Sequence, residues 1–238
     1  VKPILLLKHM ADDSPAYLGQ WLAEQGLPFE LRDSSAGQTF PDSLSGYSAL
    51  ASLGGAMSAN DEQPSLRQTE HLVREALREG LPAIGHCLGG QLMARALGAR
   101  VVGSPAPEVG WQPLRVEDHE SARAWFGDVA THTVYHWHYE AFELPAGAIR
   151  LAGSAACPNQ AFEFGSLLAL QFHIEIDAAK LQRWSLNDGP LYRDAQLLHP
   201  ATVQGAAAMR DDMARHLEAH QALARRIYAR WLAGVAGR

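Results

Sequence analysis

The stretch Gly85-His86-Cys87-Leu88-Gly89 holds the most chemically suggestive residues of the chain. It lies between a short apolar run, Pro82-Ala83-Ile84, and a helical pattern from Leu88 to Leu97. A sharp strand-to-helix turn of that kind pushes one side chain into the open, as a nucleophile elbow does. Gly85 and Gly89 flank the cysteine, where such a turn packs too tightly for side chains. At a helix N-terminus the positive end of the dipole favours a thiolate. The backbone N–H of Leu88 would point where an oxyanion forms. The competing reading is a buried structural cysteine, the common fate of a free thiol.

A thiolate needs a base, and the base needs an orienting group. Phe172-His173-Ile174-Glu175 follows the apolar run Ser166 to Gln171. His173 and Glu175 are two apart, so in extended geometry both project to one side. The position just beyond a strand's C-terminal end is where open parallel sheets keep their chemistry. A His-x-Glu pair alone is equally compatible with a solvated loop.

The elements around these residues read as follows. Pro3 to Leu7 is a buried strand. Ala16 to Gln25 is a helix, with Ser14 as N-cap and Pro15 at its first position. Pro28 to Arg32 and Tyr47 to Leu53 are strands, and Ser65 to Glu79 is a helix closed by Gly80. Strand and helix in this rhythm predict crossover units and a mainly parallel sheet flanked by helices, an α/β fold. Gly110 to Val116 and Val134 to Tyr139 read as strands of a small antiparallel extension, and Ser166 to Phe172 as a return to the main sheet. Asp177 caps a helix over Ala178 to Leu186. Asn187 to Pro200 reads as irregular. From Val203, Met209, Met213, Leu217, His220, Ala224, Ile227 and Trp231 make one apolar stripe, which faces a core or, on the sharper reading, a partner.

Composition narrows the function. In 238 residues, 47% are hydrophobic and 19% charged, enough for a sizeable core. Twenty Lys and Arg against 26 Asp and Glu give a net charge of -6, which argues against a nucleic-acid footprint. No apolar run approaches a membrane span. The short run Ile4 to Leu7, followed by Lys8 and His9, does not make a secretory leader. Two distant cysteines, Cys87 and Cys157, suit a reduced, cytoplasmic compartment. His132, His136 and His138 are dense, and His136 and His138 share a strand face. They lack a recognised metal spacing, so no metal is expected. His216 and His220 lie on one helix face without an acidic third ligand. Cys157 has no helix N-terminus to activate it.

Taken together, Gly85-His86-Cys87-Leu88-Gly89-Gly90-Gln91 and Gln171-Phe172-His173-Ile174-Glu175 resemble the class I (triad) glutamine amidotransferases. Leu53-Gly54-Gly55-Ala56-Met57-Ser58 is similar to that family's glycine-rich oxyanion loop. Trp137-His138-Tyr139-Glu140 is similar to its Ser-His-Gly-Asp segment, and Gln160-Ala161-Phe162 to the stretch before its last core strand. The likeness covers about residues 3–180 and is nearest to stand-alone members resembling the GMP synthetase amidotransferase domain. It implies a flavodoxin-like single domain over 1–238, with a helical C-terminal extension over about 181–238.

The resemblance further implies that Cys87 is the nucleophile, His173 the base and Glu175 its orienting partner. Gly55 and Leu88 would donate backbone N–H groups to the oxyanion. Gly54, Gln91 and His138 would line the glutamine pocket. The family pattern is broken by Ala56 where proline is usual, by Ile174 in place of proline, and by Tyr139-Glu140 in place of Gly-Asp. The implied reaction is hydrolysis of a γ-glutamyl amide through a thioester, without metal or organic cofactor. No P-loop is present, so a synthetase activity would sit on a separate chain. A self-sufficient γ-glutamyl peptidase and a non-catalytic regulatory protein are the rivals, and a homodimer stays open. A cysteine α/β-hydrolase is disfavoured, because that fold places its acid before its histidine.

Overall fold

The computed structural model of the chain describes residues 2–233 and Val235. The first half runs β1 (Ile4–Lys8), α1 (Ala16–Glu24), β2 (Phe29–Asp33), β3 (Ala49–Ser52), α2 (Pro64–Glu79), β4 (Ala83–His86) and α3 (Leu88–Ala96). There follow β5 (Val101–Val116), α4 (Glu120–Phe126), β6 (Thr131–Phe142), β7 (Ile149–Gly153), β8 (Ala161–Phe164) and β9 (Leu167–Leu170). Three helices come last: α5 (Ala178–Trp184), α6 (Pro190–Leu198) and α7 (Ala206–Trp231).

These strands form one sheet in the order β2-β1-β3-β4-β9-β8-β7-β5-β6. From β2 to β9 the pairings are parallel. From β9 to β6 they are antiparallel. The α/β class expected from the sequence is the one found, and its antiparallel part is continuous with the parallel half.

Strands covered on both faces read as unbroken apolar runs, because each face must be buried. β1 shows this directly. Ile4 and Leu6 join one core with Trp21 of α1, Phe126 of α4 and Tyr228 of α7. Leu5 and Leu7 join the opposite core with Val73 of α2 and Met93 of α3. A third cluster under the antiparallel half gathers Trp111, Tyr135, Tyr192 and Met209.

Four local expectations are corrected. Ser14 does not cap α1: Pro15 occupies the cap position without a side-chain bond, and Ala16 takes a φ of 41°. The Ser14 carbonyl instead accepts from Nζ of Lys180, so a tertiary contact overrides the local cap. The expected strand at Gly110 begins nine residues earlier and carries an irregularity between Gly103 and Glu108, which hid it behind Pro105 and Pro107. Asn187 to Pro200 is not irregular, since Pro190 starts α6 and Tyr192 and Ala195 anchor it. Finally, Val203 does not begin the last helix. It bridges to Val109, and α7 starts at Ala206. The α7 stripe faces the core, as the plainer reading held.

Candidate active site

β4 and β9 are adjacent parallel strands, with His86 opposite Leu170. Cys87 follows the first, and the segment to Glu175 follows the second. Both therefore emerge at the same C-terminal edge of the sheet. The N–H of Cys87 donates to the Leu170 carbonyl at 2.8 Å, which ties the turn to β9.

Cys87 has φ 49° and ψ -108°, a conformation that costs a non-glycine residue free energy. The turn around it is as crowded as its glycines suggest. A Cβ on Gly85 would lie 2.5 Å from the Gly89 carbonyl carbon, and one on Gly89 would overlap the Ser52 carbonyl. His86, beside the nucleophile candidate, points into the core against Tyr228. Burial pushes its pKa below the ordinary histidine value.

His173 stands between Cys87 and Glu175. Its Nδ1 lies 2.7 Å from Oε1 of Glu175, and both residues are buried. Burial opposes a charge on His173. The Glu175 carboxylate and hydrogen bonds to Cys87 and Glu175 outweigh it and raise the pKa to about 10. Burial likewise opposes a charge on Glu175, but Lys180, His173 and His86 hold it well below the usual carboxylate range. The edge of the Trp184 ring packs on His173 at a centroid distance of 4.7 Å. His220 of α7 contacts the His173 carbonyl from behind, with Nε2 2.8 Å away.

Two cavities meet at Cys87. One, of about 480 Å³, is lined by Gly55, Ser58, Gln91, His138 and Glu140. The other, of about 380 Å³, is lined by Asp13, His173, Arg183 and Trp184. Gly55, Cys87 and Trp137 border both. Gln91 donates to the Glu140 carbonyl at 3.0 Å, and the Ser58 hydroxyl donates to the Glu140 carboxylate at 2.8 Å. Glu140, which departs from the family pattern, thus fastens the glycine-rich loop to β6. Gly54 packs under the site, where a Cβ would meet Oδ2 of Asp13 at 2.6 Å and Cε1 of His173 at 2.9 Å. Leu88 is buried behind the loop, and a Cβ on Gly55 would lie 2.8 Å from its side chain.

Of the remaining histidines, His136 and His138 converge with Glu108 of β5. The three offer donor atoms within 4.8 Å of one another, a spacing that a divalent ion could use. Their contacts are internal: Nε2 of His138 lies 3.2 Å from Oε2 of Glu108, which also accepts from Gln160. Glu108 is thirty residues away in sequence, and only the β5–β6 register reveals it. His132 is apart from them, against the Phe126 carbonyl. Cys157 is buried, and burial pushes its thiol up to about 11.

Sequence reasoning missed Asp13, Lys180 and Trp184, and it placed Trp137 and Gln171 in motifs without giving either a role. The Trp137 carbonyl accepts from the Cys87 thiol at 3.6 Å, and Nε2 of Gln171 lies 3.7 Å from the same sulfur. Lys180 is fully buried and paired with Asp13 and Glu175. Nothing in the spacing of 13, 175 and 180 signals this, since the loop after β1 meets α5 only in the fold.

Known proteins resemble this chain in sequence and in fold. Residues 22–186 match the family model described as glutamine amidotransferase class-I. A glutamine amidotransferase-like protein, YfeJ, of Salmonella typhimurium is 32% identical over 69% of this chain and 71% of its own length. The GMP synthase (glutamine-hydrolyzing) of Thermomicrobium roseum is 38% identical over 42% of this chain, a match spanning only 19% of that enzyme. Among solved structures, a glutamine amidotransferase from Methylobacillus flagellatus superposes with a TM-score of 0.89 at 30% identity, covering 99% of this chain and 96% of that one. One from Thermotoga maritima superposes with a TM-score of 0.83 at 27% identity, covering 97% of each chain. With a matched family model over most of its length, and a relative and solved structures alike across the fold, the chain belongs to the class-I glutamine amidotransferase family.

Proposed function

We propose that the chain hydrolyses the γ-amide of glutamine, or of a γ-glutamyl compound, with Cys87 as nucleophile. The observation that carries this reading is His173 held between the elbow cysteine and the buried Glu175 carboxylate. The Cys87 thiolate attacks the amide carbon, and the oxyanion is received by the N–H groups of Gly55 and Leu88. The His173 imidazolium gives its proton to the departing amine, then takes one from water. That water attacks the thioester and releases glutamate. Gln91 and His138 line the γ-glutamyl side of the site, and Gly54, expected there, packs beneath it. None of these steps requires a metal or organic cofactor. In this reading the ammonia passes to a synthetase, as the match to part of a glutamine-hydrolysing GMP synthase suggests.

A second reading, a self-sufficient γ-glutamyl hydrolase, is favoured by the cavity beside His173. The leaving amine departs on that side, and about 380 Å³ is far more room than ammonia needs. One experiment tests both readings. Ammonia and glutamate release is measured for the pure protein on glutamine and on γ-glutamyl peptides, with Cys87→Ala as control. Turnover of either substrate that vanishes in Cys87→Ala supports the reaction, and the preferred substrate separates the two readings. Turnover unaffected by Cys87→Ala refutes the nucleophile.

A further inference from the structure

The burial of Lys180, near the site, is not explained by the proposed reaction. Its side chain is fully enclosed, on the first turn of α5. A buried ammonium is costly unless paired. Here Nζ contacts Oδ1 of Asp13, lies 3.0 Å from Oε1 of Glu175, and donates to the Ser14 carbonyl at 3.0 Å. The Trp184 ring closes over it at 4.7 Å. Asp13 is fully buried too, in the loop after β1. Two carboxylates, Asp13 and Glu175, therefore converge on His173 with one ammonium between them.

We propose that Lys180 and Asp13 form a positioning pair for the Cys87–His173–Glu175 arrangement. The ammonium holds the Glu175 carboxylate against Nδ1 of His173, and Asp13 holds the ammonium. The inference rests on the hydrolytic reading above, since it assigns the pair to that same site. Oε1 of Glu175 serves both His173 and Lys180, so the ammonium sets the direction from which the carboxylate approaches the ring. Beyond the Asp13 loop, the N–H of Tyr17 donates to the Glu175 carbonyl at 3.0 Å, a second tie between this loop and Glu175. Lys180 thus acts through Glu175, at one remove from the reacting atoms.

Charge accounting supports the pair. Burial opposes the Lys180 charge, yet Asp13 and Glu175 overcome it and raise its pKa above the ordinary lysine value. The titratable groups facing this cluster are Cys87 and His86 from the elbow, His173 itself, His220 and Tyr228 from α7, and Asp13. His86 and His220 are held below the usual histidine range by burial, and Tyr228 well above the usual phenol range by burial. At neutral pH those three carry no charge, so the two carboxylates are offset by Lys180 and the His173 imidazolium, and Lys180 is the one of the two that gives up no proton in the reaction.

The test follows the rate of Cys87 alkylation by iodoacetamide across the acid and neutral range. Wild type is compared with Lys180→Met, Asp13→Asn and the double variant, with thermal melts alongside. Lys180→Met strands two carboxylates beside His173, and one of them takes a proton at higher pH. The acid limb should then move up by about 1 to 3 units, the range for losing a close opposite charge. Asp13→Asn leaves the ammonium to Glu175 alone, so its limb should stay or move down. The double variant removes one charge of each sign and should return toward wild type, which a merely structural loss would not do. An unmoved limb in Lys180→Met, or a double variant no nearer to wild type, overturns the proposal. If Lys180→Met does not fold, Asp13→Asn decides, and an upward limb there overturns it. Alkylation needs no substrate. A wild type that alkylates at Cys87 but turns over no γ-glutamyl compound would therefore refute the hydrolytic reading alone.

Discussion

Glu175→Gln is the sharpest perturbation of the proposed reaction, because it keeps the shape of the side chain and removes its charge. The structure allows its size to be worked out. His173 is raised from 6.5 to about 10, a net change of roughly 3.5 units or about 5 kcal/mol. Burial works against the charge, so the groups that favour it contribute more than the net, with Glu175 first among them. Assigning only half of the net to Glu175 gives roughly 2 to 3 kcal/mol, or about a hundredfold in rate. The expected result is a fall of about a hundredfold or more in kcat/KM for Cys87-dependent ammonia release. The pH profile should change as well. In wild type the imidazolium persists up to about 10, so the alkaline limb lies there. In the variant the limb should move down toward the ordinary histidine value. The assay is steady-state glutamate formation across the neutral and alkaline range. A variant within a few-fold of wild type, with its alkaline limb unmoved, would refute the orienting role.

Three further outcomes are expected. Gly89→Ala drives a methyl group into the Ser52 carbonyl and should destabilise the fold by about 1 to 3 kcal/mol, read as a lowered Tm; an unchanged melt would mean the turn relaxes freely. His86→Leu removes two ring nitrogens that have no partner among the described residues, so stability should hold or rise by about 1 kcal/mol in urea titration, and a large loss would show that His86 is satisfied in solution. Burial lowers His9 and His220 to about 4 and His136 to about 3, so between 6.5 and those values the unfolded chain binds more protons than the native one. Stability should therefore fall as pH drops through that window, by up to about 4 kcal/mol per unit for three such groups; a urea midpoint that stays flat from neutral to mildly acid pH contradicts their neutral burial.

What could be read from the sequence is what local chemistry controls. The elbow was legible because its glycines and its cysteine sit together, and the crowding they imply is present at Gly85 and Gly89. The strand-helix rhythm of residues 3–97 was legible because each element buries a periodic face. Elements escaped where a long-range partner decides. Ser14 lost its cap role to Lys180. The early part of β5 contains prolines, and only pairing with β6 holds it extended. The amphipathic turns of α6 are short, and Leu197 and Leu198 remain exposed, so their pattern does not announce a buried face. Glu108, Asp13 and Lys180 were invisible for the same reason: each meets its partner across the fold, and single charged residues carry no spacing of their own.

The adjacency of β4 and β9 has a consequence for anyone wishing to transplant this chemistry. Nucleophile and base leave neighbouring strands, and their separation is inherited from backbone pairing rather than from the helices around them. A scaffold with two parallel strands in that register would need the tight glycine turn on one and the His-x-Glu ending on the other, together with the Gly55 loop and the Lys180–Asp13 pair beside them. The excursion of chain between them is not free to change, because β8 pairs with β9, and β6 brings the Trp137 carbonyl to the Cys87 thiol and the Tyr135 carbonyl to the His173 N–H. A one-residue slip of β9 could not be tolerated, because it would turn every side chain of the strand to the opposite face.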